Sequence, residues 1–277
     1  MKPLALAIEN DAGTRKLLDV LLTRSGVEVD LAPSGNDALI LLENAEYDLV
    51  LVDLMLPGTN GMQVLEWIAR ERPQTLTKSV VLSSAPEWQL QRVRDQWPQV
   101  RIIRKPFDLG EVIETAQRIT TDHEERVPSF AETFCRRSVR MGARAGLIVA
   151  KANAQVDAVH SFGYAPGEVA SYFPVPLESA IPLCAAIRNA APVWLASVSL
   201  AVADYPLLKP GFTRNESRAI AVVPLLRSEN VIGAVGWSFR EPRQFTEGDQ
   251  QAFLAIAASL VDSLPEGPGQ STSAAGA

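Results

Sequence analysis

Residues 48–61 read DLVLVDLMLPGTNG, and this segment is the strongest indication of the fold in the sequence. An unbroken run of Leu and Val ends abruptly in Asp53, and Pro57 with Gly58 marks a loop soon after it. Continuous apolar runs of this kind are typical of parallel strands that are covered by helices on both faces. Open α/β sheets bind their ligands beyond the carboxyl ends of such strands. The pattern therefore predicts that Asp53 lies at the functional edge of a parallel sheet.

Short apolar runs alternate with longer amphipathic segments through the first part of the chain. The runs that favour strands lie at 4–8, 27–32, 48–52, 79–84 and 100–104. Strands that alternate with helices predict a doubly wound parallel sheet of the α/β class. At the first helix, Asp11 or Thr14 can serve as the N-cap, and Gly26 can end the helix at its C′ position.

A boundary is indicated at residues 121–129, which are charged at first, are broken by Pro128 and show no apolar period. We therefore expect a first domain, a linker and a second domain at 1–122, 123–128 and 129–264. The tail at 265–277 consists mostly of Pro, Gly, Ser and Ala, and this composition predicts disorder.

The second half of the chain shows a different pattern. A helix is predicted at 130–142, and a long helix is predicted to begin at Thr246 and to run to about Leu264. Between them lie two predicted β-hairpins, which pair 146–152 with 155–163 and 218–226 with 231–239. Antiparallel strands flanked by helices indicate an α+β fold.

The composition limits the classes of partner and compartment. Lys and Arg total 26 against 32 Asp and Glu, which gives a net charge of -6 and a pI near 5.1. This balance disfavours general binding to nucleic acid or to acidic membranes. Cys135 and Cys184 are too few for a disulfide framework, and no apolar run approaches the length of a membrane span. We therefore expect a cytoplasmic protein.

Polar groups follow the predicted strands of the first domain at the same end. They are Glu9 with Asn10, Asp53, Ser84 and Lys105. Because the carboxyl ends of parallel strands share one crevice, we expect these residues to meet in the fold. A carboxylate can attack phosphorus, oxygen ligands can hold Mg²⁺, and a lysine can neutralise phosphoryl oxygens. The set is therefore suited to phosphoryl transfer.

The first 120 residues resemble the receiver domain of bacterial two-component response regulators, through this acid cluster, DLMLPGTNGMQVL, SSA and KPF. The resemblance implies a flavodoxin-like (βα)5 fold. It implies that Asp53 accepts a phosphoryl group from a sensor histidine kinase or a phosphotransfer protein. It also implies that Lys105 pairs with this group and that Ser84 hydrogen-bonds it in the switched state. The implied ligands of Mg²⁺ are Glu9, Asn10, Asp53 and the carbonyl of Met55.

The chain departs from the family pattern at two positions. Asn10 stands where the family has a second carboxylate, so we expect weaker Mg²⁺ binding, by about tenfold or more. Asp11 could compensate, although the role of helix N-cap is the favoured interpretation of this residue. Ile102 stands where the family usually has an aromatic residue that responds to phosphorylation. These departures leave two readings open, a phosphorylated switch and a degenerate receiver that acts unphosphorylated as a scaffold or ligand sensor.

Two enzyme classes are disfavoured by the same residues. Phosphatases with an Asp nucleophile need a second acid two residues later, and this position holds Met55. A dinucleotide site needs a glycine-rich loop after the first strand, where this chain has Glu9, Asn10 and Asp11. We therefore expect a phosphoacceptor signalling protein rather than an enzyme with turnover.

Residues 129–264 resemble a GAF domain, an α+β module that senses ligands and dimerises. The resemblance rests on HSFGY, IPLCAAIRNAAPVWLAS and the closing segment from Ala219 through the last helix. It implies a homodimer, and the identity of any ligand stays open. Phe245 and Asp249 match part of the family's cyclic-nucleotide signature, but a capping box of Thr246 with Asp249 also explains them. His160 is interpreted as a structural residue on a strand.

Overall fold

The computed structural model describes residues 2–121, 127–197, 204–206, 217–262 and 264. The chain divides into two compact units, Met1–Glu132 and Thr133–Ala277. Most of the predicted linker and the whole of the predicted disordered tail lie outside the described residues. Within the described ranges, no helix is both long and apolar enough to span a membrane.

The first unit is built on five parallel strands in the order β2-β1-β3-β4-β5. The strands are β1 (Leu4–Ile8), β2 (Glu28–Ala32), β3 (Leu49–Val52), β4 (Ser79–Ser83) and β5 (Arg101–Arg104). The helices are α1 (Ala12–Arg24), α2 (Gly35–Asn44), α3 (Gly61–Glu71), α4 (Glu87–Gln96) and α5 (Leu109–Thr120), with a 3₁₀ segment at Pro73–Lys78. The predicted doubly wound parallel sheet is confirmed.

Helices cover both faces of this sheet, which explains why its central strands are continuously apolar. On one face, helices α1 and α5 contribute Leu18, Leu22, Val112 and Ala116 to a cluster with alternate strand residues such as Leu49 and Leu51. The intervening residues Val50 and Val52 are also fully buried, so both sides of β3 are covered. Burial on both faces is the arrangement that the Leu and Val run predicted.

The ends of α1 follow from local backbone chemistry. The carboxylate of Asp11 accepts a hydrogen bond from Thr14 N at 2.7 Å, so the N-cap prediction for Asp11 is confirmed. At the other end, Gly26 adopts φ +85°, a left-handed conformation that costs little only for glycine. The helix therefore begins directly beside the polar residues that follow β1.

The second unit contains a six-stranded antiparallel sheet in the order β8-β7-β6-β11-β10-β9. The strands are β6 (Ala145–Ala152), β7 (Gln155–Phe162), β8 (Val175–Pro176), β9 (Val193–Leu195), β10 (Ala219–Arg227) and β11 (Asn230–Phe239). Its helices are α6 (Phe130–Arg140), α7 (Pro182–Asn189) and α8 (Glu247–Val261), with a 3₁₀ turn at Val169–Ser171. Both predicted hairpins and the α+β class are confirmed, because β6 pairs with β7 and β10 pairs with β11.

The two faces of this second sheet have different cores. One face carries packed aromatic rings, in which Trp237 lies 4.8 Å from Phe253 between ring centroids. The indole nitrogen of Trp237 donates to Ser138 Oγ of α6 at 2.8 Å, which satisfies its polar edge in the core. The other face is aliphatic, and there α7 packs through Cys184 and Ile187 against the strands.

Candidate functional site

The polar residues at the carboxyl ends of β1, β3 and β5 are held by backbone hydrogen bonds that continue the sheet. Asp53 N donates to Ile8 O at 2.9 Å, Lys105 N donates to Ser83 O at 3.1 Å, and Glu9 N donates to Ala32 O at 3.0 Å. Each residue therefore takes its position from the ladder of parallel strands rather than from a loose loop. The sheet fixes the three charged groups relative to one another.

Lys105 joins the two buried carboxylates of the site. Its Nζ donates to Glu9 Oε2 and to Asp53 Oδ2, each at 2.5 Å. Glu9 is 2% exposed and Asp53 is 5% exposed, so these charges are largely withdrawn from water. A buried charge is tolerated when it is paired and hydrogen-bonded. The ammonium group therefore offsets one of the two negative charges.

The environment raises the pKa of Lys105 above its ordinary value. Burial opposes the charged form and by itself lowers this pKa, but the hydrogen bonds and the charges of Asp53 and Glu9 act in the opposite direction and prevail. Lys105 is therefore a permanent cation at neutral pH. It is positioned to bind any further anionic group that approaches Asp53.

The second oxygen of Asp53 accepts two hydrogen bonds. Ser83 Oγ donates to Asp53 Oδ1 at 2.8 Å, and Met55 N donates to the same oxygen at 2.9 Å. A carboxylate oxygen offers about two lone pairs, so both on Oδ1 are used, whereas Oδ2 has one left beside Lys105. Asp53 Oδ2 is therefore the oxygen that can attack an electrophile without first losing a hydrogen bond.

The hydroxyl that contacts Asp53 in this structure belongs to Ser83, and the bond from Ser84 to a phosphoryl group on Asp53 stays a prediction. Ser83 is fully buried at the end of β4, whereas Ser84 is exposed. Successive side chains along an extended chain point in opposite directions, so Ser83 faces Asp53 here while Ser84, just past the strand, is turned to the surface. The hydrogen bond from Ala85 N to Ser83 Oγ at 3.2 Å further fixes this choice.

The loop after β1 separates Glu9 from Asn10. Glu9 points inward, and its Oε1 accepts from Asp11 N at 3.1 Å, while Asn10 is exposed. Arg15 of α1 reaches back and donates through Nη1 to the carbonyl oxygens of Glu9 at 2.7 Å and Asn10 at 2.8 Å. Arg15 was not predicted from the sequence, because its partners are backbone atoms. Its only signal in the sequence is a basic residue early in α1.

The loop after Asp53 depends on close backbone approach at Gly61, the first residue of α3. A Cβ atom at this position would lie 2.2 Å from Asp53 O and 2.7 Å from Leu54 Cα. Asn60 caps the helix by accepting from Gln63 N at 3.0 Å, and Gln63 Oε1 accepts from Asn60 N at 2.9 Å. The NG pair of the opening motif thus lets α3 start against the backbone of the candidate nucleophile.

The residues expected to hold Mg²⁺ fit the ion in chemistry, because they offer oxygen ligands. Glu9 and Asp53 supply the carboxylates, and the structure places the backbone of Met55 beside Asp53. Among the described residues, no group of three or more Asp, Glu, His or Cys side chains could hold a metal ion. Only two carboxylates are therefore available, and both share their charge with Lys105. Asp11 is engaged as the N-cap.

The second unit places its singled-out polar residues in packing and capping roles. His160 lies with its ring 6.1 Å from the Phe134 ring in an edge-on contact, and burial lowers its pKa. Thr246 and Asp249 form the reciprocal capping box, which confirms the structural explanation offered for them. Asp249 also pairs with Arg243, whose guanidinium lies 5.0 Å from the centroid of the Phe239 ring.

Cys184 is buried on the aliphatic face of the second sheet. Its Sγ lies 3.7 Å from Pro176 O, and burial raises the pKa of its thiol. A buried thiol with a raised pKa is a packing residue rather than a reactive nucleophile.

A lysine bridges a pair of acids at the carboxyl edge of the five-stranded parallel sheet, and this is the arrangement that the resemblance to receiver domains implied for the first unit. The family model for the response regulator receiver domain matches residues 5–117, and the GAF domain model matches residues 124–264. The chain belongs to the GAF domain family, whose model covers just over half of it, and a response regulator receiver domain precedes this domain.

Known proteins match each part separately. "Transcriptional regulatory protein ResD" of Bacillus subtilis is 34% identical over 109 residues, which cover 39% of this chain and 44% of ResD. The signal receiver domain of an HD domain-containing protein from Pseudomonas fluorescens is 24% identical, with a TM-score of 0.40, over 44% of this chain and 96% of that chain. The GAF domain of Acinetobacter phosphoenolpyruvate-protein phosphotransferase is 15% identical, with a TM-score of 0.39, over 47% of this chain and 76% of that chain.

This chain spans less than half the length of ResD. The receiver match and the response-regulator relatives support a two-component response regulator. The architecture is that of a signalling protein rather than a classical enzyme.

Proposed function

We propose that this protein accepts a phosphoryl group on Asp53 from the phosphohistidine of a sensor histidine kinase or phosphotransfer protein. The observation that carries the proposal is the geometry of Lys105, whose Nζ bridges Asp53 and Glu9 at the carboxyl edge of the sheet. A phosphoryl group on Asp53 would meet a cation already held in place. Preorganised charge of this kind is the main contribution that proteins make to phosphoryl transfer.

The chemistry then follows from the hydrogen bonds of Asp53. Its Oδ2 attacks phosphorus, the bond between phosphorus and the histidine nitrogen breaks, and the histidine leaves with the electron pair. The Lys105 ammonium neutralises charge on the phosphoryl oxygens. The donors on Oδ1, Ser83 Oγ and Met55 N, can turn to a phosphoryl oxygen once Asp53 becomes an acyl phosphate.

Mg²⁺, when held by Glu9, Asp53 and the oxygen atoms of Asn10 and Met55, supplies further positive charge to the transferring group. Asn10 contributes no charge to this set, so the metal side of the site is weaker than a pair of adjacent acids would make it. The hydrogen bonds from Arg15 hold the loop that carries Glu9 and Asn10. Arg15 therefore helps to hold the metal side of the site in place without the ion.

We further propose that the GAF unit passes the signal on through interaction or dimerisation, and that the protein acts as a cytoplasmic homodimer. Its net charge of -6 favours protein or small-molecule partners over nucleic acid and acidic membranes. A second candidate function is that of an unphosphorylated scaffold or ligand sensor. Asn10 favours this alternative, because it is exposed and adds no carboxylate to those of Glu9 and Asp53 at the predicted metal site.

Phosphodonor labelling separates the two functions. The full chain is incubated with Mg²⁺ and acetyl phosphate, and its intact mass is measured over time beside the Asp53→Asn variant. A phosphoacceptor gains the mass of one phosphoryl group, and the variant gains none, because an amide is a poor nucleophile. Absence of labelling on the wild type, or equal labelling of both proteins, would establish the scaffold function instead.

A further inference from the structure

A cavity of about 390 Å³ lies at the amino-terminal edge of the first sheet, at the opposite end from Asp53. Three cationic side chains line it, together with a single carboxylate. The cations are Lys78, Arg101 and Arg118, and the carboxylate is Asp48. The remaining lining residues are Thr77, Ser79, Gln99 and Ile119. The cavity is therefore an electropositive site in a chain whose net charge is -6.

The cations are only weakly engaged by other groups. Lys78 Nζ lies 3.8 Å from Asp48 Oδ1, and Arg101 Nη2 lies 3.4 Å from Glu111 Oε1. Arg118 forms no ion pair with any other residue that the structure describes. Long, exposed ion pairs contribute little stability, so a ligand can replace them at low cost. All three positive charges remain available to an incoming group.

The single carboxylate of the lining also forms a hydrogen bond within the sheet. Asp48 Oδ2 accepts a hydrogen bond from Leu4 N at 2.9 Å, at the start of β1. An amide oxygen could accept this bond equally well. Asp48 therefore lowers the positive potential of the cavity, and its hydrogen bond to Leu4 N helps to fix its position. Replacing it offers a way to change charge without removing the hydrogen bond.

Two hydroxyl groups of the lining are already committed as donors. Thr77 Oγ1 donates to Gln74 O at 3.0 Å, and Ser79 Oγ donates to Thr75 O at 2.8 Å. The donors left to meet a ligand are the three cationic groups and the amide of Gln99. A site whose free donors are mostly cationic selects an acceptor with several negative charges.

We propose that this cavity binds a small multivalent anion that carries phosphate or carboxylate groups. Its volume is at the lower end of the range for small-molecule sites, so a compact ligand fits better than a macromolecule. Such a ligand would connect the amino ends of β4 and β5 to the last turn of α5. The site does not involve Asp53, and the proposal stands whether or not Asp53 is phosphorylated.

The proposal is tested by calorimetric titration of the full chain with pyrophosphate and with citrate, at low ionic strength and without divalent metal. Arg118→Gln and Lys78→Gln are each expected to weaken binding by about five- to tenfold, because each removes a contact between a full charge and the anion. Asp48→Asn is expected to tighten binding by a similar factor. The matched control is Arg24→Gln on the exposed end of α1, which should change nothing.

Each result of these titrations either supports or overturns the proposed anion site. Tighter binding of pyrophosphate identifies a phosphorylated ligand, and tighter binding of citrate identifies a polycarboxylate. The proposal is overturned if neither anion binds, or if Arg118→Gln leaves the affinity unchanged. It is also overturned if Arg24→Gln weakens binding as much as Arg118→Gln, since binding would then follow net charge rather than this cavity.

Discussion

Replacement of Lys105 by Gln isolates the electrostatic balance of the candidate site. Because Nζ lies 2.5 Å from an oxygen of Glu9 and 2.5 Å from an oxygen of Asp53, these two oxygens are no more than about 5 Å apart. Without the ammonium, two buried like charges face each other at this separation. At an effective dielectric constant near 20, their repulsion is about 3 kcal/mol. We expect the first unit to lose about this much stability at neutral pH.

The stabilisation by Lys105 has a defined dependence on pH, and its loss in the variant should depend on Mg²⁺. In the wild type, the raised pKa of Lys105 means that its stabilisation is fully present below the ordinary lysine pKa and is lost only as pH rises through the folded value. The contribution of the Lys105 charge to stability should therefore not change between pH 5 and pH 8. In the variant, the carboxylates of Glu9 and Asp53 lack this counter-charge, so stability should be lower. Added Mg²⁺ should restore it by replacing the missing charge.

Hydrogen exchange measured by mass spectrometry follows the first unit separately within the full chain. Peptides from β1 and β3 should exchange roughly 100-fold faster in the variant at neutral pH if they report a loss of about 3 kcal/mol. Peptides from β6 and β11 should be unchanged. Lys16→Gln is the control, because the Lys16 side chain is 72% exposed beside Asp19. Equal exchange in wild type and Lys105→Gln, or a loss of stability that Mg²⁺ does not restore, would show that the ammonium does not offset repulsion between Glu9 and Asp53.

Three further substitutions test the metal side, the hydroxyl and the loop. Asn10→Asp should tighten Mg²⁺ binding about tenfold in a calorimetric titration, since it restores a charge beside the ion. Ser83→Ala should slow phosphorylation by acetyl phosphate about tenfold through loss of a hydrogen bond to a charged group, whereas Ser84→Ala should leave the rate unchanged. Gly61→Ala should lower the stability of the first unit by about 1–3 kcal/mol, since its Cβ would meet the backbone of Asp53, and urea denaturation measures this change.

Each of these expectations has a clear contradictory result. Equal Mg²⁺ affinity of Asn10→Asp and wild type would mean that this position does not approach the ion. Slower phosphorylation of Ser84→Ala than of Ser83→Ala would support the role that the sequence predicts for the Ser84 hydroxyl. Full stability of Gly61→Ala would show that the loop can move away from an added methyl group.

The first unit was predictable because its strands are buried on both faces. The run at 48–52 became β3, and the other predicted strands agree with the structure to within a residue or so at each end. The choice between Ser83 and Ser84 was not predictable in the same way. It depends on where β4 stops, and this point is set by the hydrogen bond from Lys105 N to Ser83 O, a contact between distant parts of the chain.

The second unit shows a different limit of sequence reasoning. The long hairpin strands are apolar runs on either side of short turns and were predicted, but β8 has two residues and β9 has three, which is too short for any pattern to be seen. Arg15 was missed for another reason. Its guanidinium binds carbonyl oxygens of Glu9 and Asn10, and every residue type offers such an oxygen.

The backbone bonds that extend the sheet to Glu9, Asp53 and Lys105 restrict how a signal can leave this site. Since these residues share the rigidity of the strands, chemistry on Asp53 has no freedom to shift them as a group. Any conformational response has to start in atoms just past the ladder, such as Met55 N and the segment that follows Ser83. The anchored residues form a fixed frame, and if Asp53 is phosphorylated, a signal would leave the site through displacement of their neighbours relative to this frame.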